Sequence, residues 1–201
     1  KMINNTNFLK LNMTSKKKQK FIYHLTDIDN LPSILSSGLQ PRSNLTSFID
    51  VADHEIIGSR EKANLQNYVP FHFFARSPFD GAVQQSNPAK IFILIAIHRS
   101  LAEANNWSII PKHPLSLAKV ELLDYTDGIA AIDWDAMDKR DYSDNHSRNV
   151  CMAECLSPTV VSAHSFFSIY VKDQESAIRV TKMLQAKSID CHVNINPKMF
   201  V

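Results

Sequence analysis

The chain has 201 residues, of which 44% are hydrophobic and 21% charged, so it is long enough to bury a core of its own. This composition excludes a disordered tail, and the longest apolar run, at 91–97, is too short to cross a membrane. With 22 basic and 20 acidic residues, the net charge of +2 excludes nucleic-acid binding by bulk charge, although Lys16 to Lys20 form a basic cluster.

The first twenty residues predict a basic arm. They are polar and basic, without the apolar stretch or small-residue cleavage site of a secretory signal. We therefore expect a loosely held arm over 1–20, a single domain over 21–201, and a cytoplasmic chain with no membrane partner.

Strand and helix signals follow one another along the rest of the chain and predict an α+β fold. The first strand, 21–25, leads into a short helix that Asp29 or Asn30 caps, with Pro32 in its first turn and Gly38 as its stop. A polar helix is expected over 53–64 and a polar loop with a short helix over 136–147. Further strands are predicted over 69–74, 91–97, 120–123, 152–156, 166–171 and 191–195.

The last helix predicted is amphipathic. It covers 173–186, and its pattern places Ile178, Met183 and Leu184 on the inward face.

None of the common catalytic motifs is present. The sequence has no P-loop, GxGxxG, HExxH, GxSxG or EF-hand pattern. Three cysteines are an odd number for a disulfide framework, and no CxxC pair begins a zinc site. Nothing near Cys151 and Cys155 indicates a lowered thiol pKa, so both are expected to be reduced core residues.

Three polar residues are candidates for chemistry. Glu154 lies in the mostly apolar stretch 150–156, where an ionised carboxylate is either paired or used, or else faces water at a sheet edge. His24 ends the first strand beside a helix start, where it is either structural or a ligand for amide or ribose groups. Arg60 is by default a solvated helix charge, yet arginine is suited to clamp a diphosphate.

Three segments taken together resemble the DarT family of bacterial toxins, which use NAD to ADP-ribosylate bases of single-stranded DNA. The segments are 23–32 with Gly38-Leu39, then 68–78, then Met152-Ala153-Glu154. They occur in this order between about residues 21 and 171. The resemblance implies the ADP-ribosyltransferase core, an α+β fold in which two small packed β-sheets with short surrounding helices form a cleft for NAD.

The resemblance also implies residues that bind NAD. The family's His-x-Thr motif, which holds the nicotinamide end, falls on His24, Leu25 and Thr26, and the family's helix contact falls near Ser33.

The catalytic residues of the family are carried over in the same way. Its glutamate matches Glu154, and its arginine matches Arg60 best, with Arg42 and Arg76 as rivals. Breaking the nicotinamide–ribose bond develops positive charge on the sugar, so Glu154 would stabilise that charge and remove a proton from the incoming base. Arg60 would hold the phosphates or orient the base, and no metal is required.

The region 134–148 lies where the family carries its substrate loop. There Trp134 or Tyr142 is expected to stack on a base of single-stranded DNA, and Arg148 to meet a phosphate. The sequence departs from the family at Phe79-Asp80-Gly81, where a Met-Leu-like continuation is usual, so thymine and guanine both remain open as the acceptor.

The sequence thus predicts an ADP-ribosyltransferase with NAD as co-substrate, acting on single-stranded DNA as the toxin of a toxin–antitoxin system. The expected partner is a cognate antitoxin, either macrodomain-like or another ADP-ribose hydrolase. Two alternatives stay open: a transferase acting on RNA or protein, and a non-catalytic nucleic-acid-binding module that uses the basic arm.

Overall fold

The strand pattern of the sequence forms one mixed sheet. The computed structural model describes residues 15–46, 48–49, 58, 60–61, 63–117 and 120–201. The strands are β1 (Phe21–Asp27), β2 (Val69–His72), β3 (Phe92–His98), β4 (Ser108–Ile110), β5 (Glu154–Ser157), β6 (Ser168–Val171) and β7 (His192–Ile195). Their order is β4-β5-β2-β1-β3-β6-β7, and every neighbouring pair is antiparallel except β6 with β7.

Short helices surround this sheet. Those in the described ranges are α1 (Leu31–Ser37), α2 (Pro78–Ser86), α3 (Arg99–Ala104), α4 (Tyr125–Ala131), α5 (Trp134–Lys139), α6 (Asn145–Val150) and α7 (Gln174–Ala186). Within the predicted helix 53–64, Gly58, Arg60 and Glu61 are helical. Residues 53–57, 59 and 62 of that prediction lie outside the described residues. No helix in the described ranges combines the length and apolar character that a membrane span needs.

The central strand β3 is buried on both faces, as its continuous apolar run predicts. Ile93, Ile95 and Ile97 belong to the main hydrophobic core. Phe92 and Leu94 point the other way, into a smaller cluster. Since successive side chains of a strand alternate between faces, a run without polar interruptions is compatible only with a strand covered on both sides.

The sheet consists of two halves that are joined at one point. Strand β1 pairs with β3 along its full length, but it pairs with β2 only at Tyr23 and His72. The α+β class is therefore confirmed, but the strands form one continuous sheet with halves β4-β5-β2 and β1-β3-β6-β7 instead of the two packed sheets expected from the family resemblance. The halves meet edge to edge, and the gap where β1 and β2 diverge becomes the cleft described below.

Helix α1 begins and ends as predicted. It starts after Asn30 with Pro32 in its first turn, and it stops at Gly38, whose φ is +81°. A Cβ at Gly38 would lie 2.6 Å from a methyl of Val160 and 2.8 Å from the Val161 carbonyl oxygen. Both the backbone angle and the close approach of this neighbouring segment therefore require glycine.

Residues 15–20 are the part of the predicted arm that the structure describes, and they contact the rest of the fold; residues 1–14 lie outside the described residues. The backbone N–H of Lys16 donates to Asp138 Oδ1 at 2.7 Å. The Lys17 carbonyl accepts from Nη1 of Arg99, a buried guanidinium that also binds two other carbonyls. This guanidinium needs acceptors once buried, and the arm supplies one.

The predicted inward face of the last helix is wrong at one position. Ile178 is 48% exposed, whereas Ala177, Val180 and Leu184 are buried. Met183 packs against the core as expected. Residues 177, 180 and 184 follow the three-to-four spacing of one helix face, and residue 178 lies about 100° away from residue 177.

Candidate active site

The two sheet halves enclose a cleft of about 480 Å³ where β1 and β2 diverge. Both strands contribute side chains to it, together with α1, the first residue of β5, residues 113–114, and several described residues between 38 and 49 and between 60 and 68. Five residues predicted from the sequence line this cleft: His24, Leu25, Thr26, Ser33 and Arg60. Glu154 lines it as well, so the residues assigned to NAD and those assigned to catalysis share one cavity.

His24 bridges the gap between the diverging strands. Its Nδ1 lies 2.8 Å from the Pro70 carbonyl oxygen, and because a carbonyl only accepts, Nδ1 carries the proton. Burial lowers the pKa of His24 to about 4; the hydrogen bond to Pro70 opposes this shift, and interactions with the nearby His72 and Arg60 add to it. The ring is therefore neutral at pH 7, and its Nε2 is a hydrogen-bond acceptor.

The residues His24, Thr26, Asn30 and Ser33 form what we call the cofactor wall. Thr26 is 5% exposed, and its Oγ1 accepts from Asn30 Nδ2 at 3.2 Å. Ser33 is exposed on α1 at the same cavity. Leu25 is buried in the smaller apolar cluster, so it supports the wall from behind rather than offering a polar contact.

Asn30 fixes a second stretch of chain over the cleft. Its Nδ2 donates to the Ile49 carbonyl and its Oδ1 accepts from the Ile49 N–H, both at 2.8 Å. The Asn30 side-chain amide thus forms with Ile49 the two hydrogen bonds that a neighbouring strand would form. Phe48, next to Ile49, lines the cavity beneath the guanidinium of Arg42, which lies 5.1 Å from the ring centroid.

Arg60 and Glu154, which are 94 positions apart in sequence, form an ion pair in the cleft. Arg60 Nη1 donates to Glu154 Oε1 at 2.7 Å and to Oε2 at 2.8 Å. The side chains are 18% and 7% exposed. Among the described residues, Arg60 Nη2 has no hydrogen-bond partner although it is buried, and the same holds for Gln66 Oε1 in the same cavity. Buried polar atoms are normally satisfied, so these two atoms indicate a site that a ligand completes.

The two rival arginines, Arg42 and Arg76, have other surroundings. Arg42 contributes to the roof of the cleft over Phe48. Arg76 is exposed on the loop after β2, with a φ of +60°, and is not among the described residues that line the cavity. Among the described residues, Arg60 is the one candidate arginine that forms an ion pair with Glu154.

Two histidines that sequence reasoning passed over also lie beside Glu154. His72 is the register partner of Glu154 across β2 and β5, and His113 follows β4, the other strand that pairs with Glu154. Both line the cavity. Burial lowers the pKa of His113, and Glu154 counters that shift. His72 was interpreted only as part of a core aromatic strand, and no local pattern marks either histidine.

Residues 134–150, which we call the acceptor segment, contain the three side chains predicted to meet DNA. Trp134 is 8% exposed, packs edge-on against Phe73, and donates through Nε1 to the Ile129 carbonyl. This burial argues against the predicted stacking of a base on Trp134. Tyr142 and Arg148 are exposed, and both stay candidates for contact with an acceptor.

The acceptor segment is more helical than the predicted polar loop. Asp133 caps α5 by accepting from the Ala136 N–H, and Asp144 caps α6 by accepting from the Ser147 N–H. Arg140 and Tyr142 both donate to the Arg76 carbonyl, at 2.7 Å and 3.1 Å, which ties the segment to the loop after β2.

The cysteines are core residues. Cys151 and Cys155 are buried, and burial raises the pKa of the Cys151 thiol to about 11 and also raises the pKa of Cys155. Thiols of this kind are inert at pH 7. Within the described residues, no three His, Cys, Asp or Glu side chains are grouped so that they could hold a metal ion.

Comparison with known families decides what this cleft belongs to. The family model DarT, described as ssDNA thymidine ADP-ribosyltransferase, matches residues 23–201. The chain belongs to the DarT family. A fusion protein of Thermosipho africanus (strain H17ap60334), named as a DNA ADP-ribosyl transferase–DNA ADP-ribosyl glycohydrolase, is 25% identical over 185 residues. That match covers 84% of this chain and 46% of the relative, so the chain spans about half the length of this curated DarT relative.

Solved DarT structures share the fold. Thermus sp. 2.9 DarT in complex with ADP-ribosylated ssDNA has a TM-score of 0.78 and 22% identity, covering 90% of this chain and 96% of that one. The same Thermus protein in complex with NAD+ has a TM-score of 0.75 and 20% identity, covering 92% of this chain and 98% of that one. At these identities the comparison establishes the DarT fold.

Proposed function

We propose that this chain transfers ADP-ribose from NAD to a base of single-stranded DNA, with thymine as the favoured acceptor. Membership of the DarT family supports the reaction, and the description of the family supports thymine over guanine. Thermus DarT, which has the same fold, forms complexes with NAD+ and with ADP-ribosylated ssDNA. The observation that carries the proposal is the Arg60–Glu154 pair, in a cleft that also holds a neutral histidine acceptor.

The residues of the cleft fit NAD as a co-substrate. A neutral His24 accepts through Nε2 from a hydroxyl or amide N–H, and Ser33 is an exposed hydroxyl on the same wall. Arg60 Nη2 is a charged donor without a partner among the described residues, which suits a phosphate or ribose oxygen. Gln66 Oε1 accepts from a hydroxyl or amino group in the same way.

The chemistry follows from the position of the carboxylate. As the bond between nicotinamide and ribose breaks, the sugar becomes cationic, and a carboxylate in a partly dry cleft stabilises that charge. Arg60 orients Glu154, because its Nη1 donates to both carboxylate oxygens. The ionised Glu154 then accepts the proton that the acceptor base loses when it bonds to the sugar.

We also propose that a hydrolase of ADP-ribosylated DNA acts as the antitoxin of this toxin. The support is the Thermosipho relative, in which a DNA ADP-ribosyl transferase and a DNA ADP-ribosyl glycohydrolase are fused in one protein. NAD and DNA meet in the bacterial cytoplasm, where we place the reaction. The proposal predicts that the glycohydrolase of such a relative releases the label that this chain has attached to DNA.

A transfer assay tests the proposed reaction. NAD labelled in its ADP-ribose is incubated with a single-stranded oligonucleotide, its duplex, an RNA of the same sequence and a protein mixture. Label is expected on the single strand, and mass spectrometry of the product is expected to place ADP-ribose on thymine. Label found only on RNA or protein would overturn the DNA assignment. NAD binding without any release of nicotinamide would instead indicate a non-catalytic binding module.

A further inference from the structure

We propose that His72 relays the proton that Glu154 takes from the acceptor base, and that Asp80 is the positioning residue that stabilises His72 while it carries that proton. The proposal rests on the transfer reaction proposed above and assigns two residues of this chain to it.

The position of His72 puts it within reach of the carboxylate. In an antiparallel pair, residues directly opposite one another point to the same face, with Cβ atoms about 4.5–5.5 Å apart. His72 and Glu154 are such a pair across β2 and β5. Both line the cleft, and His72 is 7% exposed. A proton leaving Glu154 therefore has an imidazole as its neighbour.

The tautomer of His72 suits an acceptor. Its Nδ1 lies 3.3 Å from the Ala153 carbonyl oxygen, which can only accept, so Nδ1 carries the hydrogen. In the neutral ring the lone pair is then on Nε2. The hydrogen bond to Ala153, the residue before Glu154, also ties the ring to the strand that carries the carboxylate.

Asp80 places a buried carboxyl behind His72, where the two groups interact electrostatically. It is 1% exposed, and its Oδ2 accepts from the Ser77 N–H in a capping box at the start of α2. Its Oδ1 is buried and has no hydrogen-bond partner among the described residues. Phe79, the preceding residue, packs on the His72 ring with centroids 5.2 Å apart.

His72 offsets part of the cost of burying this carboxyl. Burial raises the pKa of Asp80, and the charge of His72 is the strongest influence that opposes the rise. A buried carboxylate beside an imidazole stabilises the imidazolium form, which is the form that a relay must reach.

The relay balances in protons and electrons. The bond from the sugar to nicotinamide breaks, and its electron pair leaves with the nicotinamide nitrogen. The acceptor nitrogen of the base bonds to the sugar and gives its proton to Glu154, which passes it to His72 Nε2. Glu154 is again ionised, and His72 releases the proton to water in the cleft, so one proton is released for each transfer.

Other ionisable groups also face His72 and enter its pH dependence. They are Tyr23, its register partner on β1; His24; His113; Glu154 with its ion-pair partner Arg60; and Asp80. Of these, Asp80 lies outside the set of described residues that line the cleft, so its replacement changes the charge next to His72 and leaves the lining intact.

The experiment compares His72→Gln and Asp80→Asn, with Asp173→Asn as the matched control for a lost capping carboxylate. His72→Gln is expected to lower kcat about 100-fold while NAD affinity stays within about twofold, and added imidazole is expected to restore part of the rate. The kcat–pH profile has a limb on which activity rises with pH. In Asp80→Asn this limb is expected to move about one pH unit lower, because the imidazolium form of His72 loses the carboxylate that stabilises it. Asp173→Asn is expected to leave that limb in place.

The relay is wrong if His72→Gln keeps the wild-type kcat, or if imidazole restores nothing and Asp80→Asn moves no limb. Thermal unfolding of each variant separates loss of fold from loss of relay, and His72→Asn repeats the imidazole test in a second background. If only the relay proposal is wrong, Glu154→Gln is still expected to be inactive. A fully active Glu154→Gln would instead overturn the proposed transfer reaction.

Discussion

The cofactor wall and the acceptor segment are built in different ways. His24 and Thr26 lie on a strand with a full register to β3, and Asn30 and Ser33 flank or belong to the helix that directly follows. The acceptor segment consists of two six-residue helices that are capped by aspartates, reach the main core through Trp134, Met137 and Val150, and are joined by the exposed residues 141–144. The wall is therefore fixed by the register of β1 with β3, whereas the exposed part of the acceptor segment around Tyr142 is held by surface hydrogen bonds that each contribute about 1 kcal/mol. Substitutions in the wall should change the use of NAD, and substitutions in the acceptor segment should change the use of DNA.

The largest effect is expected at the residue between the two regions. Glu154→Gln keeps the shape of the side chain and removes its charge, so transfer should fall about 1000-fold while NAD affinity changes by less than about threefold. Nicotinamide release and label transfer measure the first quantity, and calorimetry measures the second. Glu175→Gln, on an exposed turn of α7, is the control and should behave as wild type. A proportional loss of NAD affinity would place Glu154 in the wall instead.

Asn30→Ala tests whether NAD binding depends on the segment around Ile49, which Asn30 holds over the cleft. Three hydrogen bonds to Thr26 and Ile49 are lost, and NAD affinity should weaken about tenfold with little change in kcat. Hydrogen exchange at Ile49 should become faster. Asn105→Ala removes a comparable bond from an exposed asparagine to the Leu101 carbonyl and should change neither quantity. Unchanged exchange at Ile49 would show that Asn30 is not the clamp.

Arg148→Ala tests the acceptor segment. If its guanidinium meets one phosphate, KM for the oligonucleotide should rise a few-fold, and the slope of log KM against log salt should fall by about 0.7. NAD hydrolysis in the absence of DNA should not change. Lys182→Ala on α7 is the exposed control. An unchanged salt slope would remove Arg148 from the DNA contact.

His24 gives the smallest expected effect, on stability. An unfolded histidine takes up its proton near pH 6.5, whereas the pKa of His24 in the fold is about 4. Between these values the unfolded chain binds more protons, so this group lowers the free energy of unfolding as the pH falls from about 6.5 towards 4. Urea unfolding at pH 7 and pH 5 should show a larger loss for the wild type than for His24→Gln. Equal losses would mean that His24 is already charged in the fold.

The features that the sequence could predict depend on residues that are close to one another along the chain. The burial of β3 and the start and stop of α1 were predictable because periodicity and capping act within a few residues. The family resemblance singled out His24, Thr26 and Glu154 because each lies in a short motif. In the structure these three residues line one cleft.

Contacts between distant residues were not predictable. The pairing of Arg60 with Glu154, the Asn30–Ile49 clamp, and the approach of His72 and His113 depend on strand order and register. The Asp caps of α5 and α6 were a local signal that was missed. Trp134 was misjudged because burial of an aromatic ring in a polar segment is decided by what packs on it, here Phe73 and Arg99.

A double-substitution cycle on Arg60 and Glu154 tests most directly whether the two residues act as one catalytic unit. Transfer rates are measured for Arg60→Ala, Glu154→Gln and the double variant. The account predicts that the double variant is no slower than the slower single variant, because either change already removes the unit. Rate losses that multiply in the double variant would contradict it, since they would show that arginine and carboxylate act independently.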